Sequence, residues 1–337
     1  MKFLNATPGN ARLLTTTFGP DHMLAAVIAR PVFHIEGERL IPEPAIQWPI
    51  QAAPAETRYG QFPADVPFLT GGIDLFVVGS AWQHGGGEGQ RLAMDVRVGD
   101  AFHRQIAVIG DRQWIRLGEN IVASDPAPFC SMPLRYEYAY GGKVQTERGE
   151  MTWPANPVGK GFYLNAEQAA GQPLPNLEDP AHPITSFEDR PDPVATAPYP
   201  AEGSARALNA LELDLTEGKF GIRRIKPTLF NYAHPRMILA PGQAKPGDLV
   251  EVTHALPEGA LRFTLPDLGL TARVELEERS FDFPLHLDQI CIFTAERKVF
   301  LSYRTVFKYR LVKGERRTAT LRQGVKHEED HSGTAER

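Results

Sequence analysis

Ser131, Asp125 and either His182 or His286 supply the side chains of a hydrolytic triad: nucleophile, orienting carboxylate and base. Their separations do not link them, and no Gly-x-Ser-x-Gly elbow marks the serine. Cys130 offers a second nucleophile for the same histidines, yet Pro128-Phe129 before it and Met132-Pro133 after it suit burial as well as activation. The expected state of Cys130 and Cys291 is buried and reduced, and two distant thiols make no metal site alone. Ten histidines are scattered without a His-Glu-x-x-His pattern, and His327 and His331, four apart, lie in a polar tail without a rigid host. Gly85-Gly86-Gly87 lacks the Gly-Lys-Ser/Thr of a phosphate loop and reads as a hairpin end, where His84 could serve a contact surface. Asp74 with Asp95, and Glu137 with Glu150, are carboxylate pairs without a demonstrated pocket. Asp74 interrupts an apolar strand, and a strand edge or solvent face explains it more cheaply than a paired internal charge. These residues lead to an expectation of no catalytic group, no metal and no cofactor.

The elements that must position any site are mostly strands. Ile73 to Gly79, Arg91 to Val98 and Phe102 to Ile109 are strand-like, with residues 112–117 a candidate fourth; Gly99-Asp100 and Gly110-Asp111 punctuate them. Such close spacing predicts an antiparallel meander, because parallel strands need crossovers of about a dozen residues or more. Two short strands are expected across residues 23–40, followed by a connection containing Pro42, Pro44, Pro49 and Pro54. Residues 205–213 are compatible with a short helix. From 248 to 311 the alternation returns, and Val299-Phe300-Leu301-Ser302-Tyr303-Arg304-Thr305-Val306-Phe307 has the β-branched and aromatic content of a strand.

The expected fold is mainly β: antiparallel sheets, sandwich-like or a partly open barrel, with a long ordered irregular central region and little helix. The divisions are a β-rich region at 1–119, a Pro/Gly/aromatic-rich centre at 120–204, a second β-rich region at 205–322 and a mobile tail at 323–337. The second β-rich region is either a separate sheet or the return half of the first. With 337 residues and 42% hydrophobic composition, the chain can bury a large core without disulfide staples. A net charge of -5 supplies no overall basic field for nucleic acid or anionic lipid. Without a secretory pattern or an apolar run of about 20 residues, the chain reads as cytoplasmic, with no membrane insertion.

The most distinctive stretch is Phe129-Cys130-Ser131-Met132-Pro133-Leu134-Arg135-Tyr136-Glu137-Tyr138-Ala139-Tyr140-Gly141-Gly142. Asn156-Pro157-Val158-Gly159-Lys160-Gly161-Phe162 and Leu174-Pro175-Asn176-Leu177-Glu178 follow it, while Asp74 leads to Gly79-Ser80-Ala81 and Gly110-Asp111-Arg112-Gln113-Trp114 forms an upstream turn. In order and combination these resemble the signature of a bacterial uncharacterised-domain family encoded beside type VI secretion spike proteins, PAAR-type tips and toxic effectors. Phe68-Leu69-Thr70-Gly71-Gly72 departs from the Lys-Pro-containing approach of many relatives. The resemblance implies a cytoplasmic adaptor or chaperone that binds a type VI secretion effector, spike protein or PAAR-type tip and assists its loading. A structural spike component and an uncharacterised hydrolase are the alternatives.

On that reading, Arg135, Tyr136, Tyr138, Tyr140, Trp153, Lys160 and Phe162 are candidate protein contacts. Asp74, Gly110, Asp111, Arg112, Trp114, Gly141, Gly142, Asn156, Pro157, Gly159 and Gly161 are candidate scaffold residues. The alternation of Tyr136, Tyr138 and Tyr140 equally suits one packed face of a strand.

Overall fold

The computed structural model describes residues 1–199, 211–214, 221–277 and 279–324. The chain is mainly β and sandwich-like, built from open, largely antiparallel sheets. Among the described residues the only α-helix is Ala166–Ala169. No described helix is long and apolar enough to cross a membrane.

Arg91–Val98 shows why these sequences fold as strands. Its alternation puts Met94, Val96 and Val98 fully inside and leaves Arg91 and Arg97 exposed. It pairs antiparallel with Phe102–Ile109 on one edge and Leu249–Leu256 on the other; Gly259–Thr264 and the short Leu177–Glu178 complete a five-stranded sheet. Ile73–Val78 is buried along its whole length and behaves differently. It lies in an eight-stranded sheet, parallel to His286–Phe293 and antiparallel to Ile238–Leu239, rather than continuing the expected meander. Its continuous burial suits a central strand covered on both faces.

In that large sheet Lys298–Arg310 joins His286–Phe293 to His22–Arg30, whose other edge carries Asn10–Thr17. A third sheet orders Lys2–Asn5, Arg317–Gln323, Leu270–Leu276 and Arg279–Pro284. Strands from the first and last thirds therefore share sheets, and one apolar core containing Leu75, Val96, Val252, Ile292 and Leu321 runs between them.

The residues between 120 and 199 form short strands, turns and ordered loops. Trp114–Leu117 forms its own hairpin with Asn120–Ala123 instead of extending the meander. Leu211–Asp214 is a strand paired with Gly221–Ile225, which corrects the helix expected there; residues 205–210 lie outside the described residues. The expected tail also lies outside them from 325 onward, but Gln323 ends a regular strand. Cys291 is buried, whereas Cys130 is exposed, contrary to expectation.

Candidate functional site

The central signature builds a second, smaller core. Trp114, Tyr140, Phe162, Leu174 and Ile184 are buried together, with Trp153 and Phe187 packed against them. Tyr140 meets Trp153 edge-on at 5.5 Å, and Trp153 lies 5.3 Å from Phe162. Burial pushes the Tyr140 hydroxyl up to about 12, so it is neutral at physiological pH. Tyr140 and Phe162, expected as protein contacts, are buried in this core, and Trp153 is half-buried against it.

Asparagine amides and close backbone approaches hold this core. Asn156 is fully buried and its Nδ2 donates to the carbonyls of Tyr136 at 2.8 Å and Tyr140 at 3.0 Å. Gly141 has φ +148°, and a Cβ there would stand 2.2 Å from the Asn156 carbonyl oxygen. At Gly110 a Cβ would meet the Ala127 oxygen at 1.8 Å. Glycine at these positions permits the backbone approach, while Tyr140–Gly141 pairs in parallel with Lys160–Gly161 across the same junction. Pro157 is buried beside Asn156.

Arg112 is buried in an ion pair with Glu178 and donates to the Pro175 carbonyl at 2.9 Å. Glu178 also accepts from the Ile184 N–H at 3.0 Å, so both signature segments are pinned through one carboxylate. Asn176 Nδ2 donates to Ile109 O at 2.9 Å and Asp111 Oδ1 at 3.0 Å. Lys160 Nζ lies 3.9 Å from Asp111 and 5.2 Å from the centre of the Tyr138 ring. Burial lowers the Lys160 pKa, and the Asp111 charge opposes that shift.

The three tyrosines do not share a strand face. Tyr138 N donates to Arg135 O at 3.0 Å and Ala139 N to Tyr136 O at 3.1 Å, closing a 3-10 turn. Tyr136 drops into the main core, Tyr138 stays half-buried, and Arg135 remains exposed in an ion pair with Glu137. This turn forms one wall of a groove of about 280 Å³. Tyr59, Val158, Tyr199 and Tyr232 provide other parts of its lining, with Glu56 and Glu137 at polar positions. Tyr199 sits edge-on to Tyr136 at 5.0 Å, while Tyr59 is carried by the hairpin of Ala55–Thr57 and Gly60–Phe62. Burial of Tyr59 raises its pKa, and its hydroxyl donates to Glu296 at 2.5 Å.

Asp74 positions a further wall. Rather than facing solvent, it is completely buried and accepts from Asn231 Nδ2 at 2.9 Å, Tyr232 N at 2.9 Å and Ala233 N at 3.2 Å. Desolvation pushes its pKa up to about 6 despite these donors, with the charge of Asp288 adding to the rise. Asn231 Oδ1 accepts from Gly71 N at 2.7 Å, so the strand entry and the Tyr232 segment are clasped together.

A neighbouring charged junction was not legible from spacing. Asp179 meets Arg104 at 3.2 Å and also pairs with Arg236, which lies 3.6 Å from Asp192. Burial pushes the Asp179 carboxyl up, but the Ala181 N–H, Arg104 and His182 outweigh it and hold the pKa at about 2. Burial likewise depresses His234 to about 4, leaving its ring neutral near physiological pH.

Ser131 lies in a strand paired with Ser80–Trp82, and His182 contacts Asp179. No hydrogen bond joins Ser131 to Asp125, His182 or His286 among the described residues. Asp95 instead meets His103 at 2.5 Å. Among the described residues no group of three or more His, Cys, Asp and Glu side chains is arranged to hold a metal. The groove residues Tyr59 and Tyr232 escaped sequence reading because they lie in separate aperiodic segments; Asn176 and Glu178 were visible only as parts of a longer motif.

A family model described as "Uncharacterized protein conserved in bacteria (DUF2169)" matches residues 21–304. The chain belongs to this family. The DUF2169 match covers the whole five-stranded sheet and the whole signature core, while Lys2–Asn5, Asn10–Thr17 and Arg317–Gln323 lie outside it. Neither a curated protein nor a solved structure has significant similarity to the chain.

Proposed function

We propose that this chain is a cytoplasmic adaptor or chaperone that binds a type VI secretion effector or tip protein and assists its loading onto the spike. The groove bounded by the Arg135 turn, Tyr59, Val158 and Tyr199 is its contact surface. The observation carrying this reading is the combination of aromatic surface and charged rim on separate segments locked into one scaffold. Protein recognition uses this combination: aromatic rings supply contact area and rim charges restrict partners. The ordered motif resemblance supplies the secretion context.

The test is crosslinked affinity purification at native expression in the source cell, followed by quantitative mass spectrometry while the secretion machinery is assembled. The expected result is enrichment of an effector or tip protein together with a spike protein. Val158→Arg is expected to reduce that recovery at least about tenfold with an unchanged thermal midpoint, because Val158 is exposed in the groove. Absence of every secretion component overturns the proposal, as does retention of this chain as a stoichiometric part of the secreted particle.

A further inference from the structure

Three turns meet at one end of the sandwich. Phe18 N donates to His22 O at 2.8 Å and Leu311 N to Asp21 O at 2.7 Å, which ties the turn after Asn10–Thr17 to the turn after Lys298–Arg310. Glu277 N donates to Arg316 O at 3.1 Å and brings the turn before Arg279–Pro284 alongside. Phe18, Leu311 and Val312 are 51%, 46% and 50% exposed at this end. They crown the turns, past the last ladder pairs of Thr17 with Met23 and Arg310 with His22. Exposed apolar side chains gathered within a polar rim mark a contact surface.

The rim is basic. Lys308, Arg310, Lys313, Arg316 and Arg317 stand around Leu311 and Val312, against Glu315 and, across the junction, Asp21. Arg310 pairs with Asp21 at 2.6 Å and Arg317 with Glu315 at 2.5 Å, which leaves Lys308, Lys313 and Arg316 without an ion pair among the described residues. Lys308 Nζ lies 5.0 Å from the centre of the Phe18 ring. The adjoining turn sets Arg279 against the glutamates at 277 and 278 in the sequence, and on the next cross-strand row Lys2 offsets Glu275. Over all of these, seven basic side chains stand against five carboxylates, whereas the whole chain carries -5.

The other end of Lys298–Arg310 lies beside the candidate groove, because Tyr59 in the groove wall donates to Glu296 just before this strand begins. Its 13 extended residues span about 40 Å. A surface that seats on the Phe18 end therefore leaves the groove facing away. An extended acidic polypeptide draws affinity from a strand edge or a cleft. Apolar side chains crowning two turns instead suit a broad apolar layer, with lysine ammonium groups held at the level of the headgroups.

We propose that the Phe18–Leu311–Val312 end is a peripheral docking surface for a bilayer containing anionic lipid. Those three side chains enter the interface, and Lys308, Lys313 and Arg316 meet the lipid phosphates. The negative remainder of the chain is repelled by the same bilayer, which favours this one orientation. The site is separate from the Arg135 groove and does not rest on a role in secretion.

The test is sedimentation of the full chain with vesicles of phosphatidylcholine alone, or of phosphatidylcholine and phosphatidylglycerol at about 3:1. Binding to the anionic vesicles is expected to be at least about tenfold tighter, and to weaken at least about tenfold between about 0.05 and 0.5 M salt. Lys313→Glu combined with Arg316→Glu is expected to remove at least about tenfold of that affinity, and Leu311→Ser with Val312→Ser a similar amount, each with an unchanged thermal midpoint. Val312→Trp adds an indole at the interface, expected to be quenched by brominated lipid beyond the quenching of the unsubstituted chain. This reads the contact directly if the charge variant fails to fold. Val158→Arg in the groove is expected to leave vesicle binding unchanged.

Equal binding to neutral and anionic vesicles overturns the inference. So does full binding by the charge variant, or the absence of added quenching in Val312→Trp. Binding of a peptide alternating leucine and glutamate, weakened by Lys313→Glu and unaccompanied by vesicle binding, identifies an acidic polypeptide as the occupant and overturns the bilayer. Failure of secretion proteins to copurify leaves these vesicle outcomes unchanged, so the two proposals fail separately.

Discussion

The main sandwich and the signature core use different means to reach a dense interior. In the sandwich, Lys298–Arg310 and its neighbours form long ladders, and apolar contacts are spread over many residues. In the signature core, strands are only two to four residues long, and closure depends on Arg112–Glu178, Asn156 and a few backbone approaches. The contrast teaches where the chain tolerates substitution: losses of one methylene in the sandwich are distributed, whereas removal of a connecting polar group can release an entire segment.

The largest effect expected to separate these regions comes from Arg112→Met. It leaves Glu178 buried without its guanidinium and is expected to destabilise the signature core by about 3–5 kcal/mol. Urea unfolding monitored by residue-level hydrogen exchange checks this: early exposure around Trp114 and Tyr140, with slower exchange retained in Ile290 and Leu301, is expected. Simultaneous exposure of both regions would show that the two cores unfold as one cooperative unit.

Asp74→Asn reverses the emphasis by testing an ion inside the sandwich. The native pKa of Asp74 is raised from 3.8 to about 6, so its favourable contribution relative to the ionised state is present below 3.8 and fades as pH rises through 6. The shift corresponds to about 3 kcal/mol across that interval. Asn at this position is expected to remove the corresponding pH slope, measured as the difference between wild-type and variant urea stability from pH 4 to 7. An unchanged difference would overturn the linkage assigned to Asp74.

Asn156→Ala is expected to cost about 2 kcal/mol by leaving the Tyr136 and Tyr140 carbonyls without its amide. Selective gain of protease sensitivity within residues 136–162 is the check; equal sensitivity throughout the chain contradicts local control. The smallest effect belongs to Ile292→Val in the main sandwich. Removing one methylene there should lower stability by about 1 kcal/mol while leaving the exchange pattern of the signature core intact.

Periodic segments disclosed much of the main sandwich. The bounds of Arg91–Val98 and Phe102–Ile109 follow alternation and their intervening Gly99-Asp100 turn, and both are strands as expected. Ile73–Val78 was also legible as a strand, but its partner His286–Phe293 lies over 200 positions away, beyond any local pattern. Asn10–Thr17 and Arg279–Pro284 were obscured because exposed edge strands carry many polar residues. In the candidate site, the signature contains Gly141, Asn156 and Arg112, which take part in a close backbone approach, buried amide hydrogen bonds and a buried ion pair. It did not reveal that a 3-10 turn would send Tyr136 inward and leave Arg135 at the groove. Nor did local sequence show the clasp between Asp74 and Asn231, which depends on a distant loop meeting a buried strand.

The parallel pairing of Ile73–Val78 with His286–Phe293 also constrains the order of biosynthesis. The earlier strand leaves the ribosome before the partner that completes its native edge, so local contacts cannot finish the central sheet during synthesis of the first third. Final closure waits for the C-terminal third and incurs the loop-closure cost of a distant contact. A chain stopped before His286 therefore lacks the native covering of Ile73–Val78, and its exposed edge becomes a problem for folding control before it can become a structural asset.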